Sequence, residues 1–97
     1  MKPIKRMEIV IGTVHADRVI EALRSVGVTG YTVINGVSGS GDRGTRRIDG
    51  VSGAFENCMV ISACDESLVD PAVKKIKPIL KRFGGLCLVS DAQWIMH

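Results

Sequence analysis

Four runs of apolar, largely β-branched residues constrain the fold of this chain more than any other feature of its sequence. Runs of this composition and length are typical of β-strands. A segment of about 20 residues with neither strand nor helix periodicity separates the second run from the third. The predicted strands are residues 7–12, 31–34, 58–64 and 86–90.

The segment after the first strand has the spacing of an amphipathic helix. Apolar residues recur there at i, i+3, i+4 and i+7, with charged residues between them. Gly27 is expected to end this helix, because glycine adopts the left-handed conformation of a helix C-terminus at low cost. The apolar positions are Ala16, Val19, Ile20 and Leu23.

A second helix is predicted between the third and fourth strands. Asp70 is expected to be its N-cap and Pro71 its first residue, since these residue types favour those positions. Pro78 falls inside the helix and is expected to kink or split it. Gly84-Gly85 is expected to end it.

The resulting order, β-α-β-loop-β-α-β, predicts an α+β fold with the ferredoxin-like βαββαβ arrangement in a single domain, residues 1–97. Both helices would cover one face of the sheet. The other face is expected to be apolar as well and to need a partner, and a homotrimer would supply one. The residues that suggest two apolar faces are Ile9, Ile11, Val33 and Val60. A chain of only 97 residues also gains stability from assembly.

The loop at residues 36–57 is the candidate functional segment. It holds six of the eleven glycines and three arginines, and loops of this length are usually functional or disordered. Glycine backbone N–H groups can converge on an anion, and guanidinium groups can bind phosphate through two hydrogen bonds. The candidate anion contacts are Gly36, Val37, Ser38, Gly39, Ser40, Gly41, Arg43, Arg46 and Arg47.

Two familiar phosphate motifs are excluded in this loop. Residues Gly39 to Gly44 match GxGxxG, but no helical pattern opens at these glycines, as a dinucleotide fold requires. Gly36 and Gly41 have the Walker A spacing, but Asp42 and Arg43 replace the required Lys-Ser/Thr.

An enzyme is not indicated, and no catalytic residue is assigned. His15 is predicted to be a surface or capping residue near the first helix. Asp65-Glu66 is best explained as a turn before the second helix. The remaining candidate acids, which lie in the loop and lack a rigid support, are Asp42, Asp49 and Glu56.

The net charge of +3 does not by itself indicate a nucleic-acid partner. Sheets of this kind bind RNA through aromatic residues on central strands, and only Tyr31 and Trp94 are available. A group of five cations is predicted to form a solvated helix face. These residues are Lys74, Lys75, Lys77, Lys81 and Arg82.

The three cysteines, Cys58, Cys64 and Cys87, lie in apolar strands and lack the spacing of a metal site. They are expected to be free thiols in a reducing compartment. With no signal peptide pattern and no membrane-spanning run, the sequence predicts a cytoplasmic protein without a bound metal.

The segment from Val19 to Val33 resembles the PII signalling superfamily. It follows the family's pattern V-x-E-A-L-x-x-x-G-V-x-G-x-T-V, which runs from the first helix into the second strand. The Gly/Arg loop falls where that family has its long T-loop, and Gly84-Gly85 falls at its B-loop. The resemblance implies a trimeric, non-enzymatic regulator that binds nucleotides in the clefts between subunits.

The resemblance also implies the site residues. Gly36 to Gly41 would form the base of the T-loop, with Thr32 near it. Ser62 would line the adenine of a neighbouring subunit's site. The B-loop would be Phe83, Gly84, Gly85 and Leu86. We expect an adenine nucleotide to order the loop and the ordered loop to alter a partner's activity.

Departures from the family pattern narrow the range of nucleotides that we expect the protein to bind. The B-loop is short and no lysine or arginine follows Arg82, which favours AMP, ADP or cyclic AMP over ATP. No tyrosine follows Tyr31, so the loop lacks the tyrosine that is uridylylated in classical PII proteins. The alternative of a nitrogen-sensing PII regulator controlled by that modification is therefore disfavoured.

The shorter form is closer to PII-like bicarbonate-transporter regulators and carboxysome-associated PII proteins, which share T-G-Y-T-V before a glycine-rich loop. This implies a role in inorganic-carbon handling, with bicarbonate near the same arginines and a membrane transporter or carbon-fixation protein as partner.

Two other classes of protein are alternatives to the one that this resemblance implies. A metal-tolerance protein of the CutA type would need clustered metal ligands. An acylphosphatase-like enzyme would need an arginine directly after the first strand, where Gly12–His15 stands.

Overall fold

A computed structural model describes residues 1–41, 44–46 and 56–97. Predicted contacts Arg43 and Arg47 lie outside the described residues, as do Asp42 and Asp49. The two helices are α1 (Ala16–Ser25) and α2 (Val69–Phe83), and each follows a short 3₁₀ turn, Thr13–His15 and Glu66–Leu68 respectively. The strands are β1 (Lys2–Gly12), β2 (Thr32–Asn35), β3 (Gly39–Gly41), β4 (Gly44–Arg46), β5 (Asn57–Cys64) and β6 (Leu86–Trp94).

Four of the strands form one antiparallel sheet in the order β2-β5-β1-β6. Both helices pack on the same face of this sheet, which confirms the predicted α+β, ferredoxin-like fold. The two short strands β3 and β4 form a separate hairpin inside the loop between β2 and β5. This hairpin differs from the prediction of a segment without regular structure.

The core forms because alternate residues of the strands face the helices. On β1 these are Met7, Ile9 and Ile11, all fully buried, and on β5 Cys58 and Val60 lie beside them. Helix α1 contributes the apolar stripe predicted from its spacing, and α2 packs beside it. Their buried residues are Ala16, Val19, Leu23, Ala72 and Ile76.

The second face of the sheet is covered by neither α1 nor α2 and is also apolar, as expected, but through different residues. The four residues that suggested it belong to the helix-facing core or pack against it. Their sequence neighbours, which a strand turns to the opposite side, form this open face. The open face includes Val10, Ile34, Met59, Ile61, Leu86 and Leu88.

The ends of α1 and α2 confirm the predicted glycine stops. Gly27 has φ 98° and donates its N–H to the carbonyl of Arg24, while Val28 donates to the carbonyl of Leu23. These two bonds form a Schellman motif, and the buried side chains of Val28 and Leu23 provide its apolar contact. Gly84 similarly has φ 80° and donates to the carbonyl of Leu80.

The start of α2 differs from the prediction. Leu68, not Asp70, occupies the N-cap position of α2 and makes no side-chain capping hydrogen bond. Asp65 caps the 3₁₀ turn before the helix, because its carboxylate accepts hydrogen bonds from the Ser67 backbone N–H and hydroxyl at 3.1 and 2.7 Å. Asp70 lies in the first turn of the helix. Pro78 does not split α2, which runs unbroken past it on the exposed side. The carboxyl pair Asp65-Glu66 lies in a turn before the helix, as predicted.

The first and last strands of the chain, β1 and β6, are longer than predicted. β1 begins at Lys2 because the segment 2–6 pairs with the second half of β6, which itself extends to Trp94. Tertiary pairing therefore makes strand out of polar residues that show no strand composition of their own. No helix in the described part of the chain is long and apolar enough to cross a membrane.

The three free thiols are expected to differ in reactivity toward iodoacetamide at pH 8. Burial raises the pKa of each thiol, which keeps it protonated and unreactive. Cys58 and Cys64 are buried, whereas Cys87 is only half-buried. Peptide mass spectrometry should find Cys87 alkylated first, and the other two only after urea is added. Equal labelling of all three in the native protein would contradict the packing described above.

Candidate functional site

The two ends of the long loop are held together by backbone hydrogen bonds. The N–H groups of Gly36 and Val37 both donate to the carbonyl of Asn57, at 2.9 and 3.2 Å. The N–H of Thr13 donates to the carbonyl of Glu56 at 2.8 Å. We call Gly36, Val37, Glu56 and Asn57 the loop base. It is fixed to the end of β1, where Gly12 pairs with Asn57.

The turn after α2 packs tightly against the same end of β1. Gly85 has φ 122°, and a Cβ placed on it would lie 2.3 Å from the carbonyl oxygen of Val10. Only glycine fits this position, both for its backbone angle and for the space. We call Gly84-Gly85 the glycine turn. Leu86 follows it and pairs with Val10.

Phe83, directly before the glycine turn, carries a cluster of cationic and aromatic groups. The imidazole of His15 stacks on its ring with a centroid distance of 3.8 Å and an interplanar angle of 21°. The guanidinium carbons of Arg18 and Arg82 lie 4.9 and 5.0 Å from the ring centroid, within cation–π range. The stack therefore joins the start of α1 to the end of α2.

His15 differs from its prediction as a surface or capping residue. It occupies the N-cap position of α1, but its side chain makes no capping hydrogen bond. The imidazole is half-buried because it lies against Phe83.

The structure brings some of the predicted site residues together. Gly36 and Val37 lie at the same end of the sheet as the segment Phe83–Leu86, since β1 contacts both. Gly39, Ser40 and Gly41 form β3 of the hairpin, and Arg46 ends β4. Ser38 lies between the loop base and the hairpin.

Thr32 and Ser62 are placed apart from this cluster. Thr32 begins β2, pairs with Ile61 and is exposed. Ser62 is 2% exposed and its hydroxyl donates to the carbonyl of Gly30 at 2.7 Å. The Ser62 hydroxyl thus fixes the segment before β2.

Sequence reasoning did not identify Arg18 or His15 as part of this region. Their contact with Phe83 depends on how α1 packs beside α2, and no local pattern encodes that contact. Among the described residues, no group of three or more His, Cys, Asp or Glu side chains could hold a metal ion.

Comparison with known proteins identifies a family and solved structures to which this chain is similar. The family model described as nitrogen regulatory protein P-II matches residues 4–97. The structure is similar to that of CPII, a nitrogen regulatory PII-like protein from Thiomonas intermedia K12, bound to ADP, AMP and bicarbonate. The two chains are 28% identical with a TM-score of 0.85, over 95% of this chain and 88% of that chain. A search of curated proteins found no match.

Two further structures agree with this likeness. CPII bound to ADP and bicarbonate is 30% identical, with a TM-score of 0.82, over 95% of this chain and 88% of that chain. A PII-like signalling protein from Thermus thermophilus is 20% identical, with a TM-score of 0.81, over 97% of this chain and 91% of that chain. At that identity, the Thermus protein supports the fold alone.

Substitution of Gly85 by alanine is expected to destabilise the protein by about 2–3 kcal/mol, because the new Cβ would meet the Val10 carbonyl and the backbone angle would be strained. Gly30→Ala is the matched control, since open space surrounds Gly30. Urea denaturation at one fixed protein concentration measures both. Equal midpoints for G85A and the unsubstituted protein would refute the close approach.

Proposed function

Because the chain belongs to the nitrogen regulatory protein P-II family, whose members are signalling proteins and not enzymes, we propose that it binds an adenine nucleotide and passes this signal to a partner protein. Membership of this family also argues against the two alternative functions, a metal-tolerance protein of the CutA type and an acylphosphatase-like enzyme. The observation that carries the proposal is the placement of the loop base beside the glycine turn, in a fold shared with a relative bound to ADP and AMP.

The nucleotide is proposed to lie in a cleft between subunits, between the loop base and the glycine turn. Since the N–H groups of Gly36, Val37 and Gly84 already donate to backbone carbonyls, the N–H donors to the phosphates would come from neighbouring residues of the same two segments. Additional contacts would come from the loop arginines and from residues on the strands. The proposed contacts are Thr32, Gly36, Val37, Ser38, Gly39, Ser40, Gly41, Arg43, Arg46, Arg47, Ser62, Phe83, Gly84, Gly85 and Leu86.

ADP and AMP are the preferred ligands in this proposal, with cyclic AMP and ATP as weaker ones. The segment after Arg82 contains no lysine or arginine to compensate a triphosphate. One structure of the relative CPII is bound to both ADP and AMP, which supports the same choice. ADP is therefore the first ligand to test.

The biological context proposed is inorganic carbon in the cytoplasm. CPII is also bound to bicarbonate, an anion that the loop arginines could accept. A bicarbonate transporter in the membrane, or a protein of carbon fixation, is the proposed partner, contacted through the loop at residues 36–57. A nitrogen-sensing role through a modified tyrosine has less support, because the single tyrosine, Tyr31, precedes β2 and lies outside this loop.

A homotrimer is proposed because the open face of the sheet is apolar and needs a cover. Leu88 is 59% exposed on this face, and Ile34 and Leu86 are each nearly half exposed. Apolar surface of this kind is typical of protein–protein contact. Association through this face would also create the clefts in which the nucleotide is placed.

Isothermal titration calorimetry tests the nucleotide proposal. ADP and AMP are expected to bind at micromolar to low millimolar concentrations and ATP more weakly, with GDP as the control for recognition of the base. Titrations with and without bicarbonate reveal whether the two ligands bind together. Absence of heat with all adenine nucleotides at millimolar concentration would refute the proposal.

Substitution of Leu88 by glutamate is expected to turn the trimer into a monomer, because a carboxylate would be buried without a partner in the interface. Val14→Glu is the matched control, since Val14 is also 59% exposed but lies outside the sheet. Light scattering coupled to size-exclusion chromatography measures the mass. A trimeric L88E variant would show that this face is not the interface.

A further inference from the structure

Two guanidinium groups beside the glycine turn have no carboxylate partner among the residues that the structure describes. The ion pairs in this part of the chain join Lys5 to Asp91, Arg6 to Glu8 and Arg24 to Glu21. Arg18 and Arg82 belong to none of these three pairs, although both side chains are exposed. No carboxylate in the described part of the chain therefore competes for their N–H donors with an external acceptor.

Both groups lie against the ring of Phe83. Each guanidinium carbon lies about 5 Å from the ring centroid, so the two are at most about 10 Å apart. His15 stacks on the same ring. Holding two like charges together in this way is unfavourable until an anion reaches them. The ring also restricts both side chains before a ligand arrives, which lowers the entropic cost of binding.

The local backbone adds to the positive potential at Arg18 only, because Arg82 lies at the C-terminal, negative end of the α2 dipole. Arg18 lies in the first turn of α1, at the positive end of the helix dipole. Arg82 lies in the last turn of α2 and is followed by the glycine turn. A phosphate group suits this arrangement, because guanidinium groups match its oxygens through paired hydrogen bonds and because it can carry a double negative charge.

We propose that Arg18 and Arg82, positioned by Phe83, bind the terminal phosphate of a nucleoside diphosphate and so make the protein prefer ADP over AMP. This inference rests on the proposed function. Arg18 supplies a cation that the sequence after Arg82 lacks. Folding brings it to the glycine turn from a helix that is distant in the chain.

The test compares the ADP and AMP affinities of the protein and its variants by calorimetry. Arg18→Gln and Arg82→Gln should each weaken ADP binding by about tenfold, as expected for loss of a charge-assisted hydrogen bond. AMP binding should change by less than about twofold, because AMP lacks the second phosphate. Arg24→Gln is the matched control, since Arg24 lies on the same helix and is paired with Glu21.

Phe83→Leu separates positioning from direct contact. It removes the ring but leaves both guanidinium groups. Because Phe83 is itself a proposed nucleotide contact, the readout is the ratio of ADP to AMP affinity, which should fall by less than in R18Q. Circular dichroism and the light-scattering mass establish that each variant remains folded and assembled.

The other outcomes overturn the inference. One such outcome is that R18Q and R82Q bind ADP as tightly as the unsubstituted protein does, and another is that they lose ADP and AMP affinity equally. Either result would show that these arginines do not bind the terminal phosphate, and the proposed function would stand without them. If the unsubstituted protein binds neither nucleotide, the proposed function fails and this inference fails with it.

Discussion

The pairing of β1 with both β5 and β6 is the constraint on which the rest of the structure depends. β1 is a central strand whose register fixes Gly12 opposite Asn57 and Val10 opposite Leu86. The first pair anchors the loop base and the second anchors the glycine turn. Two segments that are far apart in sequence therefore meet at one end of the sheet. The alternating burial of β1 locks this register, because a slip of one residue would turn Met7, Ile9 and Ile11 to the wrong face.

Much of this fold could be predicted from the sequence, because its signals are local. The apolar runs and the helical spacing specify the order of elements, and glycine at positions 27 and 84 specifies two helix ends. The strand ends could not be predicted in the same way. Lys2 and Arg6 belong to β1 only because β6 pairs with them. The residues of the open face were also misassigned, since their side is decided by the register and not by composition.

The candidate site also contains some parts that local sequence signals predicted and others that they did not. The glycine turn and the start of the loop were predicted, because glycine clusters mark unusual backbone angles and close approaches. The group around Phe83 was not, since Arg18 and His15 reach it only through the packing of α1 beside α2. Arg82 appeared as one member of a solvated helix face, and only the position of the ring distinguishes it from the lysines before it. A sequence pattern records spacing along one helix and contains no information about contacts between two.

The shared acceptor at the loop base has a consequence for how a signal could travel. The carbonyl of Asn57 receives the N–H groups of both Gly36 and Val37, so withdrawing that one oxygen breaks both bonds at once. Each backbone bond contributes about 0.5–1.5 kcal/mol, so release of the pair would cost roughly 1–3 kcal/mol. Differential ligand affinities commonly reach that range. A ligand that displaced this one carbonyl would therefore need a differential affinity in the same range to release the start of the loop.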